Sequence, residues 1–239
     1  MTCRQAGGID FYDDLRMPLQ WQNRPQRVKA SVKTRNRENN LVAVFETGGS
    51  KVQIPIHQKI AVNTFDKANT APEVYQQLFA DHRDVYHNFI PIFTDGSKSS
   101  LSTSFACVFN NSTLSFQIHS SSSIFTAEIT AILHALSEIS SGPPDNFIIY
   151  SDSLSALESM TSLHRFSHPL TFNILELHDH LTFKGFSILL CWIPSHVGIP
   201  GNELADNLAK SATINLNSPV PVKDVKNYIK SILHSKWQA

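Results

Sequence analysis

The sequence predicts an α/β fold with a five-stranded mixed sheet, its first three strands antiparallel and the later ones parallel, flanked by helices. Three observations predict it. Residues 90–118 hold three short apolar runs broken by turn residues, which suits buried strands. A long segment with three-four apolar spacing follows, Ile129, Ile132, Leu133, Leu136 and Ile139, which suits a crossover helix. Two more apolar runs then alternate with helical segments, as strands and helices do in an α/β layer fold.

Between Arg16 and Arg37 lie Arg16, Arg24, Arg27, Lys29, Lys33, Arg35 and Arg37, with no acid among them. Such a tract can attract phosphate backbones, although a solvated linker has the same composition. "LVAVFE" and "VQIPI" flank "TGGSK", a hairpin signature. "TAPEVYQQLFADHRD" opens on Pro72 and Glu73 and sets Val74, Leu78 and Phe79 on one face of a short helix. "IPIFTDGS" is a strand that ends in turn residues, and "SFACVFNNSTLSFQIHS" is two strands around "NNST". "SSSIFTAEITAILHALSEISSGPP" is a helix with a hydroxyl cap, stopped by "SGPP". "NFIIYSDS" and "FSILLCWIP" are the remaining strands, with "SLSALESM" and "LTFNILELHDHLTF" as helices between them. "GNELADNLAKSATI" and a basic-faced "VKDVKNYIKSILHSKWQ" are the last helices. The expected organisation is a loosely patterned region 1–88, an α/β domain 89–215, and a linker with a final helix, 216–239.

Composition narrows the class. Of 239 residues, 41% are hydrophobic and 17% charged, an ordinary globular balance. No apolar run reaches the ~18–20 residues that span a bilayer. The acids near the start and the lack of an apolar leader speak against secretion and for an intracellular protein, nuclear or cytoplasmic. Cys3, Cys107 and Cys191 form no CxxC pair, and the latter two sit in apolar runs. They read as small buried hydrophobes in a reducing compartment.

The chemistry rests on acids far apart in sequence. Asp95 ends the first strand of the domain and Asp152 the fourth. If these strands are adjacent and parallel, both acids share the crevice at their carboxyl ends. Glu128 lies near the start of the crossover helix, with Ile132 and Ala135 on the same face, so it points at the sheet. Asp206 lies early in the helix after the last strand, where the helix dipole favours its charge. Acids brought together this way repel one another unless a cation intervenes. Oxygen-only donors suit a hard cation such as Mg²⁺. His196 stands on a hinge of Pro194, Gly198, Pro200 and Gly201, and histidine is a residue type suited to proton exchange near neutrality.

"FTDGS", "FTAEITAILHAL", "IYSDSLSAL" and "WIPSHVGIPGNELADNLAK", in that order, resemble the motifs of the type 1 ribonuclease H domain. The version they resemble most is that of non-LTR retrotransposon polyproteins, of the LINE or Jockey type. The resemblance covers about half the chain and implies the ribonuclease H-like fold. It implies that Asp95, Glu128, Asp152 and Asp206 are catalytic metal-binding carboxylates for two Mg²⁺ ions, with Mn²⁺ as a substitute. It implies that His196 assists proton transfer, and that Gly96, Ser97, Ser153 and Asn202 contact substrate. The activity implied is hydrolysis of the RNA strand of an RNA–DNA hybrid, leaving 5′-phosphate and 3′-hydroxyl ends. The partners implied are the hybrid and other retroelement polyprotein domains. For residues 1–88 three readings stay open: a domain, a reverse-transcriptase connection remnant, or a mis-joined exon. Cellular members carry Asn-Gln-Arg before the Ala-Glu of the helix, where this chain has Ile124, Phe125 and Thr126. The contrasting reading is a nucleic-acid-binding remnant without turnover.

Three other patterns carry less. "HDH" at His178, Asp179 and His180 lacks thiol partners and helical ligand spacing, so it reads as a solvated helix face rather than zinc. Ser195–His196 has no G-x-S-x-G elbow around it. "GGSK" is too short for a phosphate loop.

Overall fold

A computed structural model describes residues 29–31, 41–47, 50–57, 70–161, 163 and 167–238, with side chains from residue 70 onward. Most of the basic tract, and Cys3, lie outside these residues. The elements are β1 (Lys29–Ser31), β2 (Leu41–Thr47), β3 (Ser50–His57), α1 (Pro72–Val85), β4 (Ile90–Lys98), β5 (Thr103–Val108) and β6 (Thr113–Ile118). They continue as α2 (Ile124–Ser140), β7 (Asn146–Ser151), α3 (Leu154–Thr161), α4 (Pro169–Phe183), β8 (Ser187–Trp192), α5 (Pro200–Lys210) and α6 (Val222–Trp237).

The predicted five-stranded mixed sheet is present as β8-β7-β4-β5-β6. β4, β5 and β6 pair antiparallel, while β7 lies parallel to β4 and β8 parallel to β7. Three more strands extend it. β2 and β3 form the hairpin expected from "TGGSK", with Thr47 opposite Ser50, and β1 pairs antiparallel with β2. β3 then adds to β8 in parallel at Ile56–Leu190 and His57–Cys191, making one eight-stranded sheet.

The period-two alternation of strands sorts side chains between two cores. On β7 and β8, Ile149, Ile188 and Leu190 face the layer of α2, α3 and α4. Their neighbours Ile148, Tyr150, Leu189 and Cys191 face the opposite side, where Tyr75 of α1, Val197 and Ile199 cover them. α5 also sits on β4 and β5; a Cβ on its Gly201 would fall 2.2 Å from the Phe93 ring. Cys107 and Cys191 are free and buried, as expected, and burial pushes the Cys191 thiol up to about 12.

Three expectations need correcting. β4 does not stop at Asp95 but runs on to Lys98, with Asp95 opposite Ala106 and Gly96 opposite Phe105. "DGS" is strand here because β5 still pairs with it; the turn comes at Ser99, whose amide donates to the Ser102 carbonyl (2.8 Å). On α1 the buried residue is Tyr75, whereas Val74 is 37% exposed. His178 is not solvated: it is buried, with Nε2 3.1 Å from the Ile188 carbonyl oxygen, and burial lowers its pKa. Only Asp179 and His180 of "HDH" are exposed.

The start of α2, the helix that carries Glu128, is closed from two directions. Ser123 Oγ accepts the Thr126 amide at 3.1 Å, a regular N-cap. Asp224 of α6, itself buried, accepts from the Ser123 amide (2.8 Å), Ser123 Oγ (3.1 Å) and Thr126 Oγ1 (2.5 Å). The negative charge also suits the positive end of the helix dipole. Beyond this clasp α6 is exposed, apolar Ile229 and Leu233 included. Asp224→Ala leaves three donors without their acceptor and should cost about 1–3 kcal/mol. At ~2–4 °C per kcal/mol for a chain of this size, a thermal melt will resolve the loss.

Candidate active site

Three carboxylates converge from three elements. The β4–β7 parallel ladder ends at the pair Thr94–Ser151, so Asp95 on β4 and Asp152, just past the end of β7, come next side by side. Glu128 enters from α2, across the narrow gap between that helix and β4. A Cβ on Gly96 would meet the Glu128 backbone nitrogen at 2.8 Å and its carboxyl carbon at 3.1 Å, so only glycine admits the helix here. Oxygen atoms of Asp95, Glu128 and Asp152 all lie within 4.8 Å of one another.

The surroundings fix the orientation of Asp152. Asn202 Nδ2 donates to its Oδ2 (3.2 Å), and Trp192 Nε1 donates to its backbone carbonyl (2.9 Å). Glu128 is treated differently: its Oε2 is buried and has no hydrogen-bond partner. A buried, unpaired carboxylate oxygen is costly in a protein interior. Burial first, then the charges of Asp152 and Asp206, push Asp95 up to about 8. Burial first, then Asp95 and Asp152, push Glu128 up to about 9. The Gly96 backbone amide acts on both in the opposite direction. Asp152 is also raised by burial, against lowering by Asn202 and His196. The mutual repulsion expected from the sequence is therefore present, and a hard cation would relieve it.

The fourth acid stands slightly apart. Asp206, on the second turn of α5, groups with His196 and Glu203, whose candidate ligand atoms lie within 4.8 Å of one another. Its Oδ2 accepts from Lys210 Nζ at 2.6 Å. His196 is exposed, with φ of 52°, a left-handed conformation that costs a residue with a Cβ energy. Among the expected substrate contacts, Gly96 and Ser97 lie half-buried on β4. Ser153 is half-buried: its amide donates to Ser151 Oγ (3.2 Å), and its Oγ accepts the Ala156 amide (3.4 Å) at the start of α3 and lies 3.3 Å from Ser155 Oγ. Asn202 is buried at 1% exposure and serves Asp152. Glu203, which the sequence places with Asn202 at the entry to this helix, lies three residues before Asp206, on the same helix face. Trp192, in contrast, has no local signal that marks it as a partner of Asp152.

Asp95, Glu128 and Asp152, gathered in a sheet crevice at the carboxyl ends of parallel strands, offer only oxygen donors, a set that could hold a hard cation. The chain belongs to the RNase H family, whose model matches residues 87–214. Among solved structures, LC11-RNase H1 in complex with an RNA/DNA hybrid is 17% identical, covers 52% of this chain and 95% of its own, and has a TM-score of 0.41. The N-terminal RNase H domain of a Mycobacterium tuberculosis protein, solved as a fusion with maltose binding protein, is 18% identical. It covers 52% and 93%, with a TM-score of 0.40. No curated protein matches the chain.

Proposed function

We propose that this chain is a Mg²⁺-dependent endonuclease that hydrolyses the RNA strand of RNA–DNA hybrids. The observation that carries the reading is the convergence of Asp95, Glu128 and Asp152, with one buried Glu128 oxygen left without a partner. Membership of the RNase H family supports the reaction class. The residues fit a divalent metal. Asp95, Glu128 and Asp152 would hold it, with Asp206 close enough for its charge to act on Asp95. Two Mg²⁺ ions, or Mn²⁺ in their place, would activate water and stabilise the leaving oxygen of a phosphodiester.

The chain's own groups do the rest. Asn202 and Trp192 keep Asp152 aimed into the crevice. His196 stands exposed beside the acids, where it can take up or release a proton. Gly96 lets Glu128 approach the strand carrying Asp95. The resemblance of the motif set favours a retroelement source, with other polyprotein domains as partners. The setting is intracellular. Among the described residues no helix is long and apolar enough to cross a membrane.

The test is cleavage of an end-labelled hybrid in Mg²⁺. The expected products are cut RNA with 5′-phosphate and 3′-hydroxyl ends and an intact DNA strand. Tight hybrid binding with no cleavage in Mg²⁺ or Mn²⁺ would replace this reading with that of a binding remnant. His196→Ala is expected to slow turnover about 10- to 100-fold, at the low end of general acid–base effects, without abolishing it. Rates equal to wild type across pH 6–9 would remove His196 from the reaction.

A further inference from the structure

We infer that Gln76 of α1 is a positioning residue for His196, although α1 lies outside the residues matched by the family model. The inference rests on the proposed role of His196 in hydrolysis.

His196 holds a left-handed φ of 52° with no glycine to ease it, so its neighbours must impose that conformation. Val197 and Ile199 on either side of Gly198 are buried at 4% and 1% exposure, in the core that Tyr75 of α1 completes. The peptide joining Val197 to Gly198 is gripped at both ends. Gln76 Nε2 donates to the Val197 carbonyl at 2.9 Å, and the Gly198 amide donates to Glu203 Oε1 at 3.1 Å. Glu203 in turn belongs to the group formed with His196 and Asp206.

The fit between Gln76 and the loop is close. Gly198 has φ of 78°, and a Cβ there would lie 2.4 Å from Gln76 Nε2. Gln76 thus fills the space a side chain at residue 198 would take. It is also exposed, so removing its amide leaves the core beneath α1 unchanged. Without that amide the peptide can turn, and His196 loses the constraint that holds it beside Glu203 and Asp206.

The experiment uses the full chain on an RNA–DNA hybrid in Mg²⁺, with Gln76→Met and Gln76→Glu, each alone and combined with His196→Ala. Both are expected to lower kcat about three- to tenfold, the scale of one neutral hydrogen bond, and to leave KM within about twofold. In the His196→Ala background they should cause no further loss, because the residue they position is gone. Hydrogen exchange at the Gly198 amide should accelerate in both variants, independently of cleavage. An unchanged kcat, or the same loss repeated on top of His196→Ala, would overturn the inference while the hydrolytic reading stands. A wild-type rate for His196→Ala would remove the His196 role and this inference with it. A wild-type chain unable to cut hybrids would overturn the parent reading.

Discussion

Asp95→Asn is expected to abolish hybrid cleavage, by at least about 10³-fold, and yet to raise the melting temperature of the metal-free protein. The first effect follows from losing one of three oxygens gathered within 4.8 Å. The second follows from the burial of Asp95 and, after it, from repulsion by Asp152 and Asp206. The folded protein holds the Asp95 proton until about pH 8, whereas the unfolded chain releases it near the ordinary value of 3.8. Between those limits the unfolded state binds fewer protons, so stability falls as pH rises. Above about pH 8 the folded state bears the full cost of the charge. Glu128, held up to about 9, adds to the same slope. Asparagine removes the Asp95 part of that cost. Metal-free melts at about pH 9 should favour the variant by a few degrees, at ~2–4 °C per kcal/mol, and the advantage should vanish near pH 4. Mg²⁺ should stabilise wild type more than the variant, since only wild type keeps the complete donor set. A variant less stable than wild type at every pH would show that the cluster is not strained.

Gly96→Ala should damage both the packing of the domain and the candidate site. The new Cβ would sit 2.8 Å from the Glu128 nitrogen and 3.0 Å from Ala127 Cβ, and neither is the end of a flexible side chain. Helix α2 must therefore move away from β4. Overpacking of this kind costs about 1–3 kcal/mol. The displaced Glu128 matters more, because a shift near 1 Å in a catalytic group can cost ~10²-fold in rate. Gly142→Ala is the control: its added Cβ meets only the Ile139 carbonyl, at 3.7 Å. Melts and hybrid-cleavage rates on the two variants check the contrast. Near-wild-type cleavage by Gly96→Ala would mean that the helix and strand separate without moving the acid.

What was legible in the sequence was the order of elements and the convergence of Asp95 and Asp152. Strand order follows from the lengths of the connections, and a long helix between apolar runs forces a parallel return. Glu128 was legible because its helical neighbours at Ile132 and Ala135 are apolar. Less visible was anything decided by tertiary partners. "DGS" carries turn residues, yet β5 keeps it in the ladder to Lys98. His178 is polar, but the Ile188 carbonyl gives its ring a partner inside the core. The Asp224 clasp joins residues about a hundred positions apart, and no local pattern announces it. The pairing of β3 with β8 depends on only two residue pairs and leaves no periodic trace.

That last contact bears on how the molecule can be cut. The family match begins at residue 87, a tempting place to start a shorter protein. Such a chain would lack both α1 and β3. Tyr150, Leu189 and Cys191 would lose Tyr75 above them, and the "SILLCW" strand would present a bare edge to other molecules. An open apolar edge strand is a template for self-association. Silence from that fragment in a cleavage assay would then report aggregation rather than loss of the grip on substrate.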